Sequence, residues 1–419
     1  MKVVHIGKED RYSRSFNGAL LVDKMKKQFG VDSSLLVMLK CTENPAVNPI
    51  FPIKGRGRLL YTIETIEERL ALQSMLYPFS YTLPFHKHFY QADIIHYHLI
   101  HDGFFSLYTL PLLSRIKPTV WTLHDPWALT GHCIYPMDCK KWETGCSECP
   151  YLDLPKPLKK DNTALLWKVK KNIFQKSKLD IIVASNYMLN LVRRSPLTSH
   201  FPIHLVPFGL DLSIYKKENI IKAKKMLNIP PGNFVIGFRS TSSPFKGLEF
   251  ITEALKLLDI KDNVTLLNFN QRGLLKDFYG HIPVFEMGWL DDANDIAHVY
   301  QACDVFLMPS LAEAFGLMAI EAMACGKPVI VFDNTSLPEI VHADEGAGIV
   351  VPYKDSKALA QEIKRLMQDD NYRQRVGDMA YKISRDYYDE ALYHQRLWEV
   401  YNTILYRDEY ERYLKQGTS

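Results

Sequence analysis

The sequence contains no run of about 18 apolar residues, so none of its segments is expected to cross a bilayer as a helix. It also lacks a strong excess of either charge, because 51 Lys and Arg stand against 47 Asp and Glu. Domains that bind nucleic acid usually carry a much stronger basic bias, so no nucleic-acid partner is expected. The opening MKVVHIG is typical of a strand and not of a secretory signal, which predicts a cytoplasmic protein.

A dinucleotide-binding fingerprint is missing as well. Neither half of the chain carries GxGxxG after its first strand-like run: the first loop reads GKEDRYSRSFNG, and the corresponding loop of the second half reads RSTSSPFKG. A standard dinucleotide site built on a glycine-rich turn is therefore not expected.

The length of 419 residues and the alternation of its elements predict two α/β domains. Buried-strand patterns such as KVVHIG, ADIIHYH and PTVWTLH alternate with helical patterns, and the alternation restarts with FVIGFRS. Repeated strand-then-helix units are typical of a doubly wound parallel sheet with helices on both faces. We expect domains at residues 1–207 and 208–386, with a helical segment at 387–419.

The stretch PSLAEAFGLMAIEAMACGKPVI, Pro309 to Ile330, combines a strand end, a loop and a helix start. Glu313 lies in its loop. Gly316 allows the backbone to pack closely where the predicted helix begins, near Leu317. Glu321 follows about one turn later. The free N–H groups and positive dipole end of such a helix form an anion site, which favours a diphosphate. The alternative is an ordinary helix in which a first-turn glutamate interacts favourably with the positive end of the helix dipole.

Within this stretch, EAFGLMAIE resembles the E-x7-E motif of the family-4 glycosyltransferases, a retaining, nucleotide-sugar-dependent group. The surrounding ACDVFLMPS, ACGKPVI and SLPEIV agree, as does VPFGLD at the predicted domain junction. HDPWALTGHC, followed by a group of cysteines, looks like a subgroup that acts in exopolysaccharide assembly of the colanic-acid type. The resemblance covers nearly the whole chain.

The resemblance implies the GT-B fold: two Rossmann-like doubly wound domains facing a cleft, with a C-terminal helix that crosses back to the N-terminal domain. It also implies transfer of a sugar, with retention, from a nucleoside-diphosphate sugar to a hydroxyl group in cell-surface polysaccharide biosynthesis. The acceptor would be a glycan or a lipid-linked oligosaccharide. The alternatives are a catalytically silent nucleotide-sugar-binding subunit and another GT-B enzyme, such as a nucleotide-sugar epimerase.

Arg239 and Lys246 flank the loop RSTSSPFKG. Two cations near a helix start can neutralise a diphosphate leaving group, so that no catalytic metal is expected. Solvated surface charges are the alternative. By the resemblance, Glu313 would hold the donor sugar and Glu321 the ribose, and further donor contacts are expected from the rest of the motif: Phe315, Gly316 and Leu317.

The N-terminal half offers further candidates at strand ends and in the first loop. The resemblance places His124, after PTVWTLH, near the donor sugar. His96 and His98, in DIIHYH, line the acceptor side in one interpretation and serve simple packing in the other. Relatives usually carry Gly-Gly where this chain has Asn17 and Gly18, so Gly18 remains the candidate for close backbone approach to the donor.

Four of the seven cysteines fall within residues 131–150 in the pattern C-x5-C-x6-C-x2-C: Cys133, Cys139, Cys146 and Cys149. Only the last gap is common in zinc sites, yet four thiolates in one short segment favour a structural zinc over free thiols or two disulfides. Four thiolates would saturate the ion and leave no open position for catalysis. The site is expected to order the loop after His124.

The segment from Lys156 to Lys178 holds eight lysines and a single acidic residue, Asp161. Its lysines suggest contact with an anionic membrane, which would place the protein at the inner face of the cytoplasmic membrane. The alternative is an ordinary amphipathic helix whose apolar side packs on the sheet.

Overall fold

The computed structural model describes residues 1–11, 18–51, 56–258 and 263–416. These residues form two compact units. Unit 1 comprises Met1–Val206 together with the C-terminal residues from His394, and unit 2 comprises Pro207–Tyr393.

Unit 1 is built on seven parallel strands in the order β3-β2-β1-β4-β5-β6-β7. The central strands β4, β5 and β6 are buried along their whole length, as expected for a sheet covered on both faces. The strands are β1 Lys2–Glu9, β2 Asp32–Leu39, β3 Val47–Pro49, β4 Ile94–Tyr97, β5 Thr119–Thr122, β6 Asp180–Val183 and β7 Ile203–Leu205.

The helices of this unit before residue 207 are α1 Leu21–Phe29, α2 Arg56–Leu70, α3 Lys87–Gln91, α4 Leu110–Ile116, α5 Thr163–Gln175 and α6 Asn186–Arg194. Short 3-10 helices at Pro78–Phe85 and Pro126–Leu129 lie in the connections. The strand order reverses between β1 and β4, so the carboxyl ends of these two strands form the switch point at which open parallel sheets bind ligands.

Unit 2 contains six parallel strands in the order β10-β9-β8-β11-β12-β13, with its switch point between β8 and β11. Its strands are β8 Phe234–Ser240, β9 Val264–Asn270, β10 Val284–Glu286, β11 Val305–Met308, β12 Val329–Phe332 and β13 Ile349–Val351. Its helices are α7 Ile220–Met226, α8 Leu248–Leu257, α9 Ala293–Ala302, α10 Leu317–Ala324, α11 Leu337–Ile340, α12 Ser356–Gln368 and α13 Asp370–Tyr387.

The last helix, α14 Glu390–Gln416, begins in unit 2 and continues into unit 1. Within unit 1, His394 Nδ1 lies 2.9 Å from Gln28 Oε1, and the Tyr401 hydroxyl lies 2.7 Å from His96 Nδ1. Arg407 forms an ion pair with Asp180 in β6. The C-terminal part of α14 is thus tied to the first sheet by polar contacts.

The two doubly wound parallel sheets confirm the fold predicted from the alternating pattern. The short strand β3, of three residues, and the helix α2 were not predicted. Among the described residues, no helix is both long and apolar enough to span a bilayer.

Candidate functional site

Two backbone contacts at the switch point of unit 2 bring the loop after β8 against the loop after β11. The amide of Leu311 donates to the carbonyl of Phe245 at 2.8 Å. Gly247, at φ +67°, lies so close to β11 that a Cβ there would stand 2.0 Å from the carbonyl oxygen of Pro309. A glycine is required at this position because both the backbone conformation and the space exclude a side chain.

The same contact places Lys246 beside Glu313. The Lys246 ammonium lies 2.6 Å from Glu313 Oε2, and the two side chains are 25% and 13% exposed. Both residues were predicted for this site, but their ion pair was not. A lysine paired in this way is held in place at the end of the sheet, and its charge remains accessible to a ligand.

Arg239, near the end of β8, reaches the first turn of α10. Arg239, Lys246 and Glu313 together make up the candidate donor cluster. Its guanidinium donates to Asn270 Oδ1 at 3.1 Å and lies 3.9 Å from the sulfur of Met318, in the first turn of α10. Asn270 also donates to the carbonyl of Ser240 at 3.0 Å and has an unusual φ of +92°. The sequence analysis missed Asn270, whose only signal is an amide at the end of β9.

The loop before α10 is shaped for close approach. Gly316 has φ +111°, and a Cβ there would stand 2.4 Å from the Leu337 side chain. The Ser336 hydroxyl donates to the carbonyls of Glu313 and Phe315, at 3.1 and 3.0 Å. α10 then begins at Leu317. The Ala319 amide donates to the carbonyl of Gly316 at 3.0 Å, and the positive end of the helix dipole lies on the side of Arg239, which contacts Met318.

The side chains of Phe315 and Glu321, two residues of the motif, contact other side chains of unit 2. Phe315 is buried and packs edge-on against Phe208, with ring centroids 5.1 Å apart, so its backbone is the part available to a ligand. Glu321 accepts a hydrogen bond from the Tyr300 hydroxyl at 2.8 Å. Burial raises the pKa of the Glu321 carboxyl, while hydrogen bonds from Tyr300 and Tyr215 oppose the shift.

In unit 1, three histidines form a hydrogen-bonded row across the switch point of the first sheet. His5 Nδ1 lies 3.0 Å from His98 Nε2, and His98 Nδ1 lies 3.3 Å from His124 Nε2. The row runs from His5, which is fully buried, to His124, which is half-buried. Sequence reasoning missed His5, although its place in β1 directly beside His96 in β4 follows from the register.

The row consists of neutral imidazoles. Burial lowers the pKa of His5 to about 3. Burial likewise lowers the pKa of His124 to about 3, against the opposing effect of Asp125. The pKa of His98 is well below its ordinary value, through burial and then through its histidine neighbours. Since each neutral ring has one N–H, the hydrogen bonds of the row must all point in one direction.

His96 and Gly18 frame the row. Both nitrogens of His96 are taken by protein hydroxyls, at 2.7 Å each, from Tyr401 and Thr122. This geometry fits the packing alternative for His96. Gly18 has φ +83°, and a Cβ there would stand 2.8 Å from His5 and His98, so only glycine allows its backbone to cover the row. Asn17 lies outside the described residues.

The cysteine segment lies apart from the row. Cys133 is buried, the other three predicted ligands are half-buried, and none of the four is in a disulfide. Together with His132 they line one small cavity. Burial raises the pKa of the Cys133 thiol to about 12 and that of Cys146 to about 11.

The lysine-rich segment divides between the surface and the interior. The apolar side of α5 is buried, as the packing alternative requires, and Lys170 is buried with it. Lys156 is paired with Asp102 at 2.7 Å. The exposed lysines are Lys159, Lys160, Lys168, Lys176 and Lys178.

Both units match known family models. Residues 219–383 match the model described as "Glycosyl transferases group 1", and residues 53–214 match the model described as "Glycosyltransferase Family 4". Each of the two models covers less than half of the chain, and the two units resemble the glycosyltransferase domains that these models describe. The candidate cluster around Glu313 lies inside the group 1 match, and the histidines at 96, 98 and 124 lie inside the family 4 match.

Curated relatives match only parts of this chain. A D-inositol 3-phosphate glycosyltransferase of Corynebacterium glutamicum is 30% identical over 44% of this chain and 48% of its own length. A putative colanic acid biosynthesis glycosyl transferase of Escherichia coli, WcaC, is 22% identical over 60% of this chain and 63% of its own length. The chain therefore spans only 48% and 63% of the length of these two relatives.

A solved structure shares the fold over almost the whole length of this chain. The Anabaena protein HepE, in complex with UDP-glucose, superimposes with a TM-score of 0.64, covering 96% of this chain and 100% of that one at 18% identity. At this identity the likeness establishes the fold alone, which is that of the GT-B glycosyltransferases.

The contact at Gly247 generates a test. We expect Gly247→Ala to destabilise unit 2 by more than about 1 kcal/mol, because the new Cβ meets the carbonyl of Pro309 and the positive φ is unfavourable. Gly280→Ala is the matched control, since Gly280 has φ +81° and open space around its Cβ position. Urea unfolding measures both; equal losses in the two variants would show that the contact between the loops contributes nothing.

Proposed function

We propose that the protein is a retaining glycosyltransferase that moves a sugar from a nucleoside-diphosphate sugar to a hydroxyl of a glycan or lipid-linked oligosaccharide. The observation that carries this proposal is the cluster of Arg239, Lys246 and Glu313 at the N-terminal end of α10. The names of the relatives support a role in cell-surface polysaccharide biosynthesis, and the UDP-glucose complex of HepE makes UDP-sugars the first donors to test.

The proposed chemistry depends on stabilising the leaving diphosphate. Negative charge builds on its oxygens as the sugar departs, and Arg239, Lys246 and the first-turn N–H groups of α10 neutralise it without a catalytic metal. Lys246 exchanges its contact with Glu313 for a phosphate oxygen, which leaves the Glu313 carboxylate to accept hydrogen bonds from the sugar. Glu321, oriented by Tyr300, binds the ribose.

The remaining donor contacts in the proposal come from the backbone of the motif, at Phe315, Gly316 and Leu317. A different feature suits each of these three residues to a backbone contact with the donor. The Phe315 side chain is turned into the core, Gly316 has no side chain to block approach, and Leu317 opens the helix.

In the proposal, unit 1 adds Gly18 and His124 on the donor side and the histidines of β4 on the acceptor side. Gly18 brings its backbone near the reacting groups, and His124 contacts the donor sugar. His98 holds His124 in one ring orientation through their hydrogen bond, and His96 supports His98 by stacking at a centroid distance of 4.2 Å. The acceptor hydroxyl attacks on the face from which the diphosphate leaves and passes its proton to a leaving phosphate oxygen, so no covalent intermediate on a carboxylate is required.

Replacement of Lys246 tests the role of the cluster. We expect Lys246→Gln to lower kcat on the order of 100-fold, the usual cost of removing one group that stabilises developing charge. The matched control is Lys256→Gln, because Lys256 also pairs with a carboxylate of unit 2, Asp277, at 2.8 Å but lies on the surface. Release of nucleoside diphosphate from a panel of donors measures turnover, and NMR of the product gives the anomeric configuration.

The double variant Lys246→Gln with Glu313→Gln separates catalysis from folding, since it leaves no unpaired carboxylate at the site. It should be folded and inactive. Equal activity of the Lys246 and Lys256 variants would contradict the role of the cluster. Nucleotide binding without turnover of any donor would favour a silent binding subunit, and an isomerised donor would favour an epimerase.

A peripheral contact with anionic membrane forms part of the proposal for a lipid-linked acceptor. The support is the exposed lysines around α5, although Lys159 also lies 3.5 Å from Glu68. We expect co-sedimentation with vesicles that contain anionic lipid and none with zwitterionic vesicles, and weaker binding when Lys168 and Lys176 are replaced by Gln. Sedimentation that is indifferent to lipid charge would remove this contact from the proposal.

A further inference from the structure

A second candidate site lies in the cysteine segment, where five metal-ligating side chains surround one cavity. The ligand atoms of His132, Cys133 and Cys149 all lie within 4.8 Å of one another. Cys139 and Cys146 line the same cavity, which measures about 10 Å³. A space of this size holds one small particle, such as a water molecule or an ion, and no organic ligand.

The distances suit zinc. With Zn–S bonds of about 2.3 Å, tetrahedral geometry separates two sulfur ligands by about 3.8 Å. Ligand atoms within 4.8 Å of one another reach that geometry through small side-chain movements.

His132 has the hydrogen-bonding pattern of a metal ligand. It is fully buried; its Nε2 lies 3.3 Å from the carbonyl oxygen of Tyr151, while its Nδ1 has no hydrogen-bond partner in the described part of the chain. Histidines that bind metals typically donate one ring N–H to such a carbonyl and direct the other nitrogen at the ion. Without an ion, the buried Nδ1 is a polar atom left unsatisfied.

Two hydrogen-bond donors lie near the sulfurs, although burial raises the pKa of the thiols. The amide of Gly131 donates to Cys146 Sγ at 3.3 Å. The buried ammonium of Lys170 donates to the carbonyls of Trp127 and Thr130, at 2.8 and 3.0 Å, and interacts electrostatically with the sulfurs of Cys146 and Cys133. Burial lowers the pKa of Lys170 to about 7, and the nearby sulfurs and Asp125 oppose this shift, so thiolates bound to a metal would add negative charge beside the buried amine.

We propose that His132 Nδ1, Cys133 and Cys149 bind one zinc ion, with a third thiolate from Cys139 or Cys146 completing a tetrahedral shell. The site differs from the four-thiolate site predicted from the sequence by including His132. Its shell is closed, so the ion is structural. It fixes the chain between Asp125 and the start of α5, next to the turn that Lys170 holds through Trp127 and Thr130.

Metal analysis of the full-length protein, purified without chelators, tests the proposal. We expect about one zinc per chain, and loss of most of it in Cys149→Ser and His132→Gln. Cys41→Ser is the matched control, because Cys41 is an exposed cysteine of the same unit outside the segment, and it should retain full zinc content. Circular dichroism and the melting temperature show whether each variant is folded.

Substitution with Co²⁺ identifies the ligands independently of folding defects. We expect a tetrahedral cobalt spectrum whose near-ultraviolet sulfur-to-metal band corresponds to three thiolates. A band that corresponds to four thiolates would overturn the assignment of His132. Failure of the wild-type protein to bind either metal, or full zinc content in Cys149→Ser, would overturn the site itself, whatever the result of the donor assays.

Discussion

The contact between the loops that follow β8 and β11 is the constraint on which the candidate donor site depends. The Leu311 amide donates to the Phe245 carbonyl, and Gly247, which has no side chain, lets the two loops approach closely. Lys246 and Glu313 can therefore pair at 2.6 Å, within the same cluster as the start of α10. A diphosphate site at this point needs both cations and a helix N-terminus, and the contact supplies them from separate parts of the chain.

The first sheet uses its own switch point for a different purpose. Instead of cations, it gathers neutral imidazoles, with His5 at the buried end of the row and His124 at the half-buried end. Burial keeps these rings uncharged, so they orient one another through hydrogen bonds without repelling. Gly18 covers the row because no side chain fits there. The outcome is a rigid support for His124.

Much of the fold could be predicted from the sequence because buried parallel strands leave a simple apolar pattern, and their order decides which loops share an edge. The resemblance to the family-4 glycosyltransferases, and not the strand order, grouped Arg239, Lys246 and Glu313. The sequence does not reveal three side-chain hydrogen bonds: Tyr300 with Glu321, Asn270 with Arg239, and Tyr401 with His96. Each joins residues from separate elements that only packing brings together. Lys170 was predicted to belong to the lysines that contact a membrane, but it lies on the buried side of α5.

The most direct test of the central claim is a crystal structure of the protein with a bound nucleoside diphosphate, beginning with UDP. Our account predicts the terminal phosphate within hydrogen-bonding distance of Arg239 and Lys246 at the N-terminal end of α10, with Lys246 moved away from Glu313. A diphosphate bound elsewhere, with the Lys246–Glu313 ion pair unchanged, would contradict it.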